Sequence, residues 1–366
     1  MDRRRAMKKR WAFLAALAMV LAAPEMTKLS IASEQQKAVR IERLLDAPII
    51  TPATHPSIGA NIQGPSLIRV PEWVENPLGS YYLYFADHKG SYIRLAFADD
   101  LLGPWRVHPP GILQIEKTHF PAEPPPIPPG ALEKVRAQRA ISRGGDATLP
   151  HSLAKELTAP HIASPDAHVD HQNKRIVMYF HGLDGFNSQL TRVATSKDGI
   201  HFQGLPEKLG RSYFRVFQHA GMTYALVMPG RICRSKDGLT NFEEGPVLFN
   251  PKMRHSALLK RGDLLYVFWT QVGDVPERIL LSTIDLSVPW EQWSETAGVE
   301  VLRPEREWEG ANEPLEPSIR SVAYAAVNQL RDPAIYEEDG RVFLLYAVAG
   351  ESGIAIAEVH LGAAGE

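Results

Sequence analysis

Cysteine is almost absent. One residue, Cys233, stands in 366, so no internal disulfide can form, and a large apolar core rather than cross-links must stabilise the chain. Charge of one sign is also missing: 40 Lys and Arg against 42 Asp and Glu leave a net charge of −2, which argues against nucleic acid or an anionic membrane as partner. No GxSxG elbow, HExxH helix, phosphate-binding glycine loop or CxxC pair occurs. Serine-hydrolase, zinc-protease, nucleotide and thiol-redox chemistries are therefore without a motif.

Long apolar runs are scarce too. The only one, WAFLAALAMVLAA (residues 11–23), follows a basic stretch, RRRAMKKR (3–10), and precedes the small residues SIAS (30–33). At roughly 13 residues it falls short of the ~20 that span a bilayer. We read residues 1–32 as a cleavable signal peptide and expect a secreted or periplasmic protein, with no membrane association after cleavage. The remaining 33–366 form one domain.

What is abundant is a repeat. An apolar strand, a polar turn, a strand rich in Tyr, Phe, Leu and Val, and an Ala/Ser-rich strand recur along the chain. The clearest copy is RDPAIY (331–336), EEDG (337–340), RVFLLYAVAG (341–350) and IAIAEV (354–359). Four others start at GPSLIRV (64–70), HIASPDAHV (161–169), YFRVFQHAGMTYALVM (213–228) and RHSALLKRGDLLYVFWTQ (254–271). Aromatic and β-branched enrichment with turns such as SKDG and KRGD favours antiparallel hairpins. A unit of this kind cannot bury both faces of its sheet alone, so the repeat predicts an all-β, five-bladed β-propeller whose inner strands line a shared channel. Between the first and second units, about residues 109–160, a proline cluster (PAEPPPIPPG, 121–130) and a helix (ALEKVRAQRAIS, 131–142) interrupt the rhythm. This insert is too long for an ordinary connection and is expected on the channel-entrance face, as a wall or lid or as a solubilising excursion.

The blade pattern, carried by GPSLIRV with GSYYLYFADHKGSYIRLAFADDLLGPW, by SPDAHV with KRIVMYFHG, and by RDPAIYEEDGRVFLLYAVAG, resembles the five-bladed propeller glycoside hydrolases of family 43 and its relatives. The resemblance implies glycosidic-bond hydrolysis by acidic residues at the channel mouth, with a saccharide as substrate, of plant or algal type. It also implies an Asp before Pro at the first blade, where this chain has Gly64-Pro65. Asp166 is matched to the orienting Asp of the second blade. His255 opens the fourth blade as a candidate acid, and Asp332 opens the fifth, either standing in for the first-blade base or pairing with Arg331. Those three form the expected catalytic centre.

Arg215, Arg254 and Arg331 at three successive blade openings are candidate substrate-binding groups suited to an anionic sugar. His168, two residues beyond Asp166, and Glu316 in the loop WEGANEPLEPS are further candidates for the site. No metal ligand set or cofactor is read from the sequence, and the calcium ion found in some relatives has no support in it. The competing reading is a carbohydrate-binding propeller without catalysis, which the missing first-blade Asp favours.

Overall fold

The computed structural model describes residues 39–143 and 149–362; the signal-peptide reading at 1–32 lies outside them. Five antiparallel sheets follow one another along the chain. Blade 1 comprises Gln63–Arg69, Tyr81–Ala86, Tyr92–Ala98 and Arg106–Gln114. Blade 2 holds Ile162–Asp170, Arg175–Gly185, Ser188–Ser196 and two short outer segments. Blade 3 runs from Arg215–His219 to Glu243–Val247, and blade 4 from Met253–Arg261 to Val299–Leu302. Blade 5 contains Arg331–Glu338, Arg341–Ala347 and Ile354–His360.

The fourth strand of blade 5 comes from the other end of the chain. Arg40–Arg43 pairs antiparallel with Ile354–His360, Ile41 opposite Val359. The repeat pattern gave no sign of this closure, because its partners are some three hundred residues apart and pairing energy, not periodicity, unites them. Arg43 locks it: Nε and Nη2 each donate to the Glu309 carboxylate at 2.8 Å, and Tyr346 Oη donates to Glu309 at 3.0 Å.

The second strands explain why these sequences read as unbroken apolar runs. Tyr81–Ala86 is buried along its whole length, since each blade presses one face on the blade before and the other on the blade after. The interior therefore divides into five clusters, each wedged between neighbouring blades. One holds Ile68, Tyr82, Tyr84, Met178 and Phe180, and another holds Leu83, Phe85, Tyr336 and Phe343. The repeated SKDG turns have a structural task. Asp198 accepts the amides of Ile200 and His201, and Asp237 those of Leu239 and Thr240. Tyr84 of blade 1 and Tyr179 of blade 2 donate to the glycine carbonyls of these turns, Gly199 and Gly238, across the blade interface.

The insert leaves blade 1 and returns over the face where the inner strands begin. It includes helix Ala131–Arg143 and a shorter helix, Leu153–Thr158, capped by Ser152. The short helix touches three neighbours on that face. Lys89 Nζ donates to the Glu156 carbonyl at 3.4 Å, the Asn187 amide donates to Leu157 at 3.0 Å, and Ser321 Oγ donates to the Glu156 carboxylate at 3.0 Å.

Candidate active site

Four inner strands carry a bulge near their start: pairing skips between Gln63 and Ser66, Ala163 and Asp166, Met253 and Ser256, and Arg331 and Ala334. Gly64, Ser164 and Asp332 occupy the same place in three of them, each at positive φ (64°, 50° and 46°) and each before a proline. The bulge re-aims that residue toward the channel. Register thus makes Ser164 the counterpart of Asp332, while Asp166 lies two residues further along, opposite Tyr179. Gly64 is sterically required: a Cβ there would stand 2.8 Å from Ser164 Cα.

Asp332 is 1% exposed, and neither carboxyl oxygen has a hydrogen-bond partner among the described residues. Burial, with the charge of Glu351 added, pushes it up to about 7 against the pull of Arg254. His255 Nε2 stands 3.4 Å from Oδ1, and the Asp332 amide donates to His255 Nδ1 at 3.2 Å. Burial and then Arg254 and Arg331 hold His255 well below the usual histidine range, so its ring is neutral. A neutral imidazole has one accepting nitrogen. When Nδ1 accepts the Asp332 amide, the ring proton sits on Nε2 and faces the Asp332 carboxyl; Arg254 Nε, 3.2 Å from Nε2, competes for the other tautomer. Tyr213 lies between two histidine rings, His255 at 5.1 Å and His181 at 4.4 Å.

Two of the three arginines foreseen as ligand groups, Arg254 and Arg331, are buried and paired with glutamates. Arg331 pairs with Glu351 at 2.7 Å and Glu277 at 3.6 Å, and Arg254 pairs with Glu277 at 3.3 Å. Burial alone would raise Glu351, but His88, Arg331 and Asn61 together hold it below the usual carboxylate range. His88 Nδ1 is 3.1 Å and Asn61 Nδ2 2.8 Å from its oxygens. Two arginines thus face two glutamates, and Asp332 is an additional carboxyl beside that set.

Asp166, His168 and Arg215 form a separate group, further along the channel. Asp166 Oδ2 accepts His168 Nε2 at 2.8 Å and the Val216 amide at 2.9 Å. Burial opposes the ionised form, yet His168, Arg215 and that amide hold Asp166 below its ordinary value, and Asp166 in turn raises His168. Arg215 donates to the carbonyls of Ser256 at 2.9 Å and Pro165 at 3.0 Å, tying three blades together. Glu316 is exposed on its loop. Among the described residues no three His, Cys, Asp or Glu side chains are gathered as metal ligands.

Sequence reasoning missed His88, Glu277 and Glu351, which lie on the turns after the second strands of blades 1, 4 and 5. The signal was present: a polar residue recurs on that turn, on the face where the inner strands start.

No protein-family model matches the chain. A protein of Acanthamoeba polyphaga mimivirus, itself described as uncharacterized, is 36% identical over 322 residues, covering 81% of this chain and 82% of its own. Among solved structures, a GH130 enzyme described as targeting β-1,2 mannosidic linkages in Candida mannan superposes with TM-score 0.56 at 11% identity, over 87% of this chain and 93% of that one. A GH43 β-xylosidase/α-arabinofuranosidase from a compost metagenome gives 0.50 at 13% identity, over 87% and 94%. A GH43 enzyme from Xanthomonas citri gives 0.50 at 12%, over 89% and 92%. The chain belongs to the same family as the mimivirus protein, and that family has the five-bladed β-propeller fold of the GH43 and GH130 glycoside hydrolases.

Proposed function

We propose that the protein is a glycoside hydrolase whose proton donor is Asp332. The observation that carries this reading is the state of that carboxyl: buried, without hydrogen-bond partners, and titrating at about 7 beside an ionised Glu351. Two carboxyls driven to opposite protonation states divide into an acid and an anion, which is what glycosidic cleavage needs. Asp332 would protonate the leaving oxygen as the glycosidic C–O bond breaks, Glu351 would supply negative charge for an oxocarbenium-like transition state, and a water would add its oxygen to the anomeric carbon and return its proton to Asp332. Neutral His255 accepts the Asp332 amide, and its Nε2 stands 3.4 Å from Oδ1; it positions Asp332 rather than acting as the acid itself. The sugar enters on the face where the inner strands begin, past the wall made by Leu153–Thr158 and the segment around Ser321 and Tyr324.

Arg254 and Arg331, both taken up by glutamates, favour a neutral saccharide over an anionic one at this centre. A release assay over neutral plant, algal and fungal glycosides tests the reading: Asp332→Asn should lower turnover by about 10²–10⁴-fold. Undiminished hydrolysis by Asp332→Asn overturns it. The second reading, a saccharide-binding propeller without turnover, is favoured by Gly64 and Ser164, which leave two of the equivalent openings without a carboxyl. Binding without product release in the wild type would establish it. The order of basic, apolar and small residues in 3–33 supports export of the mature chain to the periplasm or exterior, and N-terminal sequencing of the secreted protein checks that.

A further inference from the structure

The channel has a second end. Where the inner strands finish, opposite the Asp332 face, a cavity of about 890 Å³ opens, within the size range of small-molecule sites. Asp166, His168, Arg215, Trp73, His171 and Tyr336 line it. At its lip Trp73 and His171, from the hairpin loops of blades 1 and 2, meet edge to face at 5.1 Å.

Its polar groups are incompletely satisfied. Arg215 is 4% exposed and its Nη2 has no partner among the described residues. Trp73 carries an indole N–H that is buried and likewise unpartnered. Both are donors needing an acceptor oxygen. Asp166 poses the complementary demand. Oδ2 is taken up by His168 and Val216, while Oδ1 lies outside those bonds, 3.9 Å from Arg215 Nη1. An ionised carboxylate oxygen needs a donor. A group that accepts and donates through one oxygen, the hydroxyl of a polyol, meets both demands at adjacent places. A carboxylate ligand would satisfy the arginine but face Asp166 and the rim carboxylates of Glu72, Glu337 and Asp339, which also line the cavity.

The geometry points to a second saccharide site in this far-face cavity: a neutral sugar unit with vicinal hydroxyls held by Arg215 and Asp166 and its ring lying against Trp73. It is separate from the Asp332 centre and does not depend on that centre being catalytic. Unhydrolysed neutral monosaccharides (glucose, galactose, mannose, xylose and arabinose) and glucuronate are titrated calorimetrically into the full chain. At least one neutral sugar is expected to bind the wild type and Asp332→Asn alike, with glucuronate weaker. Trp73→Phe, which keeps an aromatic face but removes the indole N–H, should weaken that binding by about tenfold, the loss of one hydrogen bond. Arg215→Lys should weaken it as well. Should that variant fail to fold because of the lost carbonyl contacts, Trp73→Phe carries the test alone. The proposal is overturned if no neutral sugar binds the wild type, if glucuronate binds more tightly than every neutral sugar, or if binding is lost in Asp332→Asn and unchanged in Trp73→Phe.

Discussion

Replacing Asp332 by Asn should make the protein more stable at neutral pH and leave the ionisation-linked part of its stability unchanged in acid. Burial pushes the carboxyl up to about 7 in the folded chain, against 3.8 for a free aspartate. At 1% exposure that difference is not diluted by solvent. Below pH ~4 the group is protonated in both the folded and unfolded chain, and its ionisation has no bearing on stability. Between about 4 and about 7 the unfolded chain releases the proton and the folded chain keeps it, so stability falls by ~1.4 kcal/mol per pH unit. Above about 7 the loss is constant, at up to about 4 kcal/mol.

Glu351 and Asp166 shift the opposite way, and their contributions are present above the ordinary carboxylate range and fade as pH falls. The wild-type profile is therefore a sum, and the difference between wild type and Asp332→Asn isolates the one group. Asn tolerates the positive φ of 46° at this site. Urea unfolding of both proteins at half-unit steps from acid to mildly alkaline pH should give a difference that is flat in acid, grows through the middle range in favour of Asn, and levels off. A flat difference throughout, or one that favours Asp as pH rises, would refute the reasoning. It would mean that the carboxylate is ionised and stabilised by Arg254 or a protonated His255.

Gly64→Ala places a methyl 2.8 Å from Ser164 Cα at φ 64°, and should cost about 1–3 kcal/mol in urea unfolding; a change under ~0.5 kcal/mol would show that the two blades can separate freely. Arg43→Leu removes the only cation paired with the fully buried Glu309 among the described residues and should cost about 3 kcal/mol or more, with Arg43→Leu/Glu309→Leu recovering much of it. Absence of recovery in that double variant would assign the loss to packing of the closing strand instead. Glu351→Gln leaves Arg331 with the more distant Glu277 and removes one charge that raises Asp332. The pH at which the Asp332 difference profile levels off should then move down, and a plateau that begins at the same pH would detach the two groups.

Much of the candidate site was legible one residue at a time but not as a set. Asp332 and His255 were visible because they open strands whose phase the repeat reveals, and the structure brings them within 3.4 Å. Asp166 was placed at the wrong level of the channel, because the bulge inserts two unpaired residues that strand periodicity cannot display; Ser164 takes the place of Asp332 in blade 2. The three arginines are all buried, yet whether a buried cation is free or paired depends on which loops descend beside it. Glu277 and Glu351 arrive from turns 23 and 20 residues beyond their partners Arg254 and Arg331.

The sequence by itself determined the blade count, the all-β class and the turn chemistry, since these follow from local periodicity and from residues such as the SKDG aspartates that bond their own neighbours. Tertiary structure alone decided the closure by Arg40–Arg43, the separation of the channel into two polar groups, and the protonation state of Asp332. Those depend on burial and on charges carried in from distant loops, and neither is a property of any short stretch of chain.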